Sequence, residues 1–256
     1  MVPHLSVVLD HVEASTPDTV KLHMVLYTAN PGTEGVLARL TKSGVTVNGK
    51  ELSGGFESGA EEKYIKPGER EEIRAVCTLD LKSLSPPLPP ETSLLDTRTI
   101  FEMGFSFDGG GRSSASAETE FSFPRIRQPE FSIVSIAIMQ AELINTRFKV
   151  KVRIKNPNRF PLALSSFKYE LYGHGRYWAG GSERDVYEIP ENGEAEKDLF
   201  LLMNFINMPR DLLDQVIAMR SVRYRFVGEA DIGTGIAYLP SFVTAFDLRG
   251  DSEVIK

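Results

Sequence analysis

Phe148-Lys-Val-Lys-Val-Arg-Ile-Lys155, followed by Asn156-Pro157-Asn158-Arg-Phe-Pro-Leu162, is the stretch whose reading decides the fold. Phe148, Val150, Val152 and Ile154 alternate with Lys149, Lys151, Arg153 and Lys155. Period-two alternation is the pattern of a β-strand with one face in a core and the other in water. Pro157 has no N–H for a ladder, so the strand ends at Asn156-Pro157, and Asn158 has the short polar side chain that supports a turn.

The rest of the chain aligns to this stretch at an offset of about 126 residues, which signals an internal repeat. Pro3–Val8 resembles Pro129–Val134, and Asn30-Pro31 falls on Asn156-Pro157. Asn48–Gly55 falls on His174–Gly181, and Ile65-Lys-Pro-Gly-Glu69 answers Ile189-Pro-Glu-Asn-Gly-Glu194. A tandem duplication follows, with domains expected at 1–125 and 126–256 and with Pro124–Pro129 as a short linker stiffened at both ends. At 256 residues the chain divides comfortably into two such units, each long enough for its own core.

Strands are predicted near 4–9, 20–28, 41–47, 73–79, 100–107 and 118–123 in the first copy, with Asn48-Gly49 as a hairpin turn. In the second copy they fall at 131–138, 147–155, 166–172, 198–203, 222–227 and 242–248, with a turn at Gly173–Gly175. Pro209–Arg220 reads as a short helix, opened by a proline and carrying Leu212, Leu213, Val216 and Ile217 on one face. Ser85-Pro-Pro-Leu-Pro-Pro90 reads as a stiff surface loop, with a polyproline ligand as its alternative. Many short strands between turn signals make the expected fold all-β: two tandem immunoglobulin- or fibronectin III-like β-sandwiches, with one short helix in the second.

Composition limits the function. The net charge of −6 is confined to the first half: residues 1–125 hold 12 Lys+Arg against 18 Asp+Glu, while 126–256 hold 17 of each. Without a basic face, general nucleic-acid binding is not expected. Cys77 is the sole cysteine, so no intrachain disulfide or thiolate cluster can form. No apolar run approaches the roughly 20 residues of a membrane-spanning helix. Met1-Val-Pro3 leads almost directly into a strand pattern. As the sequence stands this points to the cytoplasm, or to the periplasm or cell envelope if a leader precedes it.

Candidate chemistry is sparse. His4, His11, His23 and His174 are too scattered for a metal-ligand spacing, so surface or turn roles are expected. The Gly109–Gly111 triplet lacks the Lys-Ser/Thr of a phosphate cradle. Glu61, Glu62, Glu69, Glu71 and Glu72 lack a calcium-loop pattern and read as solvated charges. The cation row Lys149, Lys151, Arg153, Lys155 has two readings: the wet face of a sheet paired with neighbouring glutamates, or a stripe for an anionic membrane or acidic partner. Tyr177-Trp178 reads as a core or hairpin anchor.

The strand ending in Asn156-Pro157-Asn158 with Phe160-Pro161-Leu162, the turn-rich Gly173–Gly181 passage leading to Ile189-Pro190 and Gly193, and the late Tyr224-Arg-Phe-Val-Gly228 resemble one family. It is the water-stress and hypersensitive-response (WHy) domain of the folded, type 2 late-embryogenesis-abundant proteins. The first copy resembles a divergent member, with Asn30-Pro31 kept and Gly32 in place of Asn158. The resemblance implies a β-sandwich, no catalysis and no cofactor, with Asn30, Pro31, Asn156, Pro157 and Asn158 as structural motif residues. The expected function is protection of other macromolecules, its protein clients, during desiccation or freezing. The alternative is an envelope-associated scaffold that binds a protein or an anionic surface.

Overall fold

The computed structural model describes residues 2–52, 56–58, 62–141, 145–204 and 221–255. The chain divides into two compact units, Met1–Ile126 and Arg127–Lys256. Both are all-β and sandwich-like.

The first unit contains β1 (His4–Thr16), β2 (Thr19–Ala29), β3 (Val36–Val47), β4 (Lys50–Glu51), β5 (Glu57–Ser58), β6 (Lys63–Ile65), β7 (Arg70–Asp80), β8 (Leu94–Phe107) and β9 (Arg112–Pro124). One sheet has the order β1-β2-β7-β5 and the other β4-β3-β8-β9, with β6 on β3. Alternation places Leu22, Met24 and Leu26 of β2 and Phe101, Met103 and Phe105 of β8 in the core, all buried. Each such side chain contributes about 1.5–3 kcal/mol by leaving water. Lys50 Nζ donates to the carbonyls of Pro86 and Pro87, at 2.5 and 3.0 Å, and Leu84 and Leu88 are buried. The proline-rich passage is thus a loop pinned to its own unit.

The second unit contains β10 (Glu130–Ala141), β11 (Asn145–Lys155), β12 (Leu162–Gly173), β13 (Arg176–Glu183), β14 (Tyr187–Ile189), β15 (Glu194–Asn204), β16 (Ser221–Ile236) and β17 (Leu239–Ile255). The strand order is β13-β12-β16-β17-β10-β11-β15, with β14 on β12. Phe148, Val150, Val152 and Ile154 of β11 are buried as the alternation requires. Phe148 stacks on buried Trp178 of β13, with ring centroids 5.4 Å apart, while neighbouring Tyr177 is 56% exposed. Phe131, Phe167, Phe226 and Phe246 form a second aromatic cluster, with centroids about 5 Å apart for Phe131–Phe246, Phe167–Phe246 and Phe226–Phe246. The predicted helix 209–220 lies outside the described residues.

The strands are longer than the predicted segments. The sequence reading stops the first at residue 9, whereas β1 continues to Thr16. The predicted segments 222–227 and 242–248 are parts of one long hairpin, β16–β17, paired from Ser221↔Glu253 to Ile236↔Leu239. Hydrophobic periodicity fades where a strand leaves the core, but backbone pairing continues. Two of the hairpin turns match in conformation. Asn48-Gly49 and His174-Gly175 both have positive φ, 51° and 75° in one and 49° and 79° in the other.

Candidate functional site

A buried Asn-Pro corner, hydrogen-bonded to main chain, occurs in both units. In the second, Asn156 leaves β11 just before Pro157 and is 1% exposed. Its Nδ2 donates to the carbonyls of Phe160 (2.8 Å), Ile189 (3.3 Å) and Pro190 (3.0 Å). Its Oδ1 accepts from Asn158 N (2.9 Å) and Asn158 Nδ2 (3.0 Å). Asn158, 2% exposed, in turn accepts from Arg127 N at 2.7 Å and donates to Arg127 O at 2.9 Å. The corner therefore joins the unit's first residue, the end of β11 and the turn after β14.

Asn30 repeats the smaller part of this arrangement in the first unit. Its Nδ2 donates to Glu34 O (2.8 Å) and Ile65 O (3.1 Å), and its Oδ1 accepts from Gly32 N (3.0 Å). Gly32, standing where the second unit has Asn158, has no side chain to extend the network. Pro31 and Pro157 each follow the buried asparagine and cap the end of the strand. These side chains are spent on main-chain carbonyls and amides, which gives them a structural role.

The cation row faces outward from β11 and meets carboxylates on both neighbouring strands. Lys149 pairs with Asp198 at 3.3 Å, Lys151 with Glu196 at 3.4 Å, and Arg153 with Glu196 at 2.8 Å and Glu194 at 3.6 Å. Lys155 pairs with Glu130 of β10 at 3.4 Å. The Arg153 hydrogen bond, with Lys151 beside it, holds the Glu196 carboxyl below its ordinary range. The row is a matched ladder of charges, and little net positive potential is left for an anionic surface. Among the acidic residues singled out in the first unit, Glu62, Glu69, Glu71 and Glu72 also pair, with Arg39, Lys66, Lys63 and Arg74.

The histidines are scattered in the sequence, but the antiparallel register sets His11 of β1 directly opposite His23 of β2. The rings stack with centroids 4.0 Å apart, and Glu13 Oε2 lies 3.2 Å from His23 Nε2. His4 and His174 stand apart from this group on exposed positions. The sequence reading missed the pair because its first strand ended at residue 9, short of His11. The polar alternation of His11 and Glu13 was the available signal.

Buried Cys77 has its thiol pushed up to about 11, chiefly by burial and secondarily by Glu57. It is a packing residue rather than a nucleophile. The cavity at the edge of the second core, bordered by Ile154, Phe167, Lys197 and Leu199, measures about 10 Å³. A single water needs roughly that much.

Residues 151–244, within the second unit, match the family model described as late embryogenesis abundant protein. This supports a late-embryogenesis-abundant-like family and a stress-related protein of that type. No curated protein matches. Among solved structures, a protein from Archaeoglobus fulgidus is similar at 12% identity over 50% of this chain and 96% of its own, with a TM-score of 0.32. A Bacteroides uniformis β-glucuronidase aligns at 10% identity over 90% of this chain but 26% of its own, TM-score 0.31. The Pseudomonas aeruginosa CupB2 chaperone aligns at 11% identity over 91% and 92%, TM-score 0.24. At TM-scores this low the likenesses say nothing of what this chain binds or does.

Proposed function

We propose that this is a non-enzymatic protective protein, made of two copies of the WHy domain, that shields other macromolecules during desiccation or freezing. The match of residues 151–244 to the late-embryogenesis-abundant family carries the reading. The equivalent Asn30 and Asn156 corners and the matching hairpin turns support the duplication. The surface chemistry is compatible with shielding. A charged coat, with the cation row of β11 paired to carboxylates, keeps water around each unit and offers partly unfolded clients few sites for tight binding. The net charge of −6 favours solubility, although its field is screened beyond about 8–10 Å in physiological salt.

The test is the residual activity of a freeze-sensitive enzyme after freeze–thaw or drying with the full chain present. An equal mass of an inert folded protein of similar charge is the control. Protection well above the control is expected, and protection equal to it would sink the reading.

A second reading, an envelope-associated interaction module, draws on one observation. Phe200 and Leu202 are 65% and 57% exposed on β15, which ends the described strand order, and Phe200 lies opposite Lys149. Co-sedimentation with anionic vesicles, lost in Phe200→Ser, would favour it. The same sedimentation without vesicle binding by the native chain would remove it.

A further inference from the structure

We infer that His11, Glu13 and His23 form a binding site for a borderline-soft divalent cation, with zinc as the representative ion. His11 and Glu13 are two residues apart on β1, so both project from one face of the strand. His23 is the cross-strand partner of His11. One ligand atom from each of the three lies within 4.8 Å of the other two. Two imidazoles and one carboxylate are a donor set that zinc takes in sites with an open fourth position. Zinc bonds of about 2.0–2.2 Å place tetrahedral donors roughly 3.3 Å apart. The His23 Nε2 to Glu13 Oε2 distance of 3.2 Å already meets that separation. The remaining closure is a side-chain adjustment of exposed groups.

A second observation points the same way. Asp10 Oδ2 lies 3.0 Å from His11 Nδ1. An ionised carboxylate only accepts, so Nδ1 carries the proton and the Nε2 lone pair remains for a metal. A carboxylate on the non-ligating nitrogen is the usual support of a metal-bound histidine, fixing both tautomer and ring orientation. The register shift between Leu9 and His11 inserts Asp10 into β1 as an extra residue, which places it beside the ring. On the other side, coordination through His23 Nε2 and Glu13 Oε2 would replace their 3.2 Å contact. The side chains of Asp10, His11 and Glu13 are about half exposed and that of His23 is 25% exposed, so an ion reaches them from solvent and a water completes the coordination.

The experiment is zinc titration of the full chain, by calorimetry and by competition with a chromophoric indicator, with cobalt absorption as a readout of coordination. One equivalent is expected, with a tetrahedral cobalt spectrum. His11→Gln and His23→Gln should each weaken binding at least about tenfold, and Asp10→Asn by roughly tenfold through the supporting hydrogen bond. His4→Gln should leave affinity unchanged. Circular dichroism of the apo variants checks that they fold. Absence of stoichiometric binding overturns the inference, as does native affinity in both His11→Gln and His23→Gln. The site and the protective reading stand or fall separately.

Discussion

Replacing Asn156 by alanine removes the side chain around which the second corner is built. Its Nδ2 serves three carbonyls and its Oδ1 serves two Asn158 donors, all at a position 1% exposed. Two acceptors and one donor retain other bonds or reach partial solvation: Pro190 O still accepts from Gly193 N, and Asn158 Nδ2 still donates to Arg127 O. Asn158 N and the carbonyl of Ile189 lose this partner in a buried setting. At about 1–3 kcal/mol for each of these two buried groups left unpaired, the cost is about 2–6 kcal/mol. For a unit of this size about 4 °C accompanies each kcal/mol, so a fall in Tm of about 8–24 °C is expected. The assay is built in: Trp178 is the sole tryptophan and is buried in the second unit, so its fluorescence during denaturant or thermal unfolding reports on that unit. Asn156→Asp sharpens the test, since it keeps an acceptor but turns a carboxylate toward three carbonyls. It should be at least as damaging as alanine. A loss below about 1 kcal/mol in Asn156→Ala, or a near-native Asn156→Asp, would refute the view that this amide holds the corner.

Three further outcomes follow from the same geometry. A Cβ at position 228 would stand 2.0 Å from the Lys168 carbonyl oxygen and 2.5 Å from Phe246, so Gly228→Ala should destabilise the second unit by about 3 kcal/mol or more, read again from Trp178; a neutral effect would show that β12 and β16 can part freely. Cys77 should resist thiol reagents in the native chain and react only on unfolding, and its neutral thiol supports the fold below its ordinary range, with that support lost as pH rises through about 11; rapid labelling at neutral pH would contradict its burial. Asp247 accepts from Arg225 at 2.9 Å on each oxygen and from Arg249 at 3.3 and 3.1 Å, and these guanidinium bonds hold its carboxyl well below the usual range. A depressed carboxyl contributes stability above its unfolded pKa and loses it as pH falls through its folded value, so Asp247→Asn should flatten the acid side of the stability profile. An unchanged acid limb would mean that solvent screening removes the effect.

Local chemistry determined much of this protein. The alternation from Phe148 to Lys155 follows from the geometry of a pleated strand, and Asn156-Pro157 stops it because proline cannot donate. Asn48-Gly49 and His174-Gly175 set their turns through residues that accept positive φ. These features depend on neighbours within a few residues, and the sequence alone was enough to read them. Tertiary structure decided which distant groups meet. The acceptors of the Asn156 amide include Ile189 and Pro190, more than thirty residues away. The carboxylates that neutralise the cation row sit on β10 and β15, in an order set by register. The His11–His23 contact was hidden for a specific physical reason. The outer half of β1 has little apolar surface to bury, so it lacks the hydrophobic alternation that marks a strand, and its ladder with β2 holds it extended. Hydrogen-bonded register, which side-chain pattern does not encode there, brought two histidines and two carboxylates together.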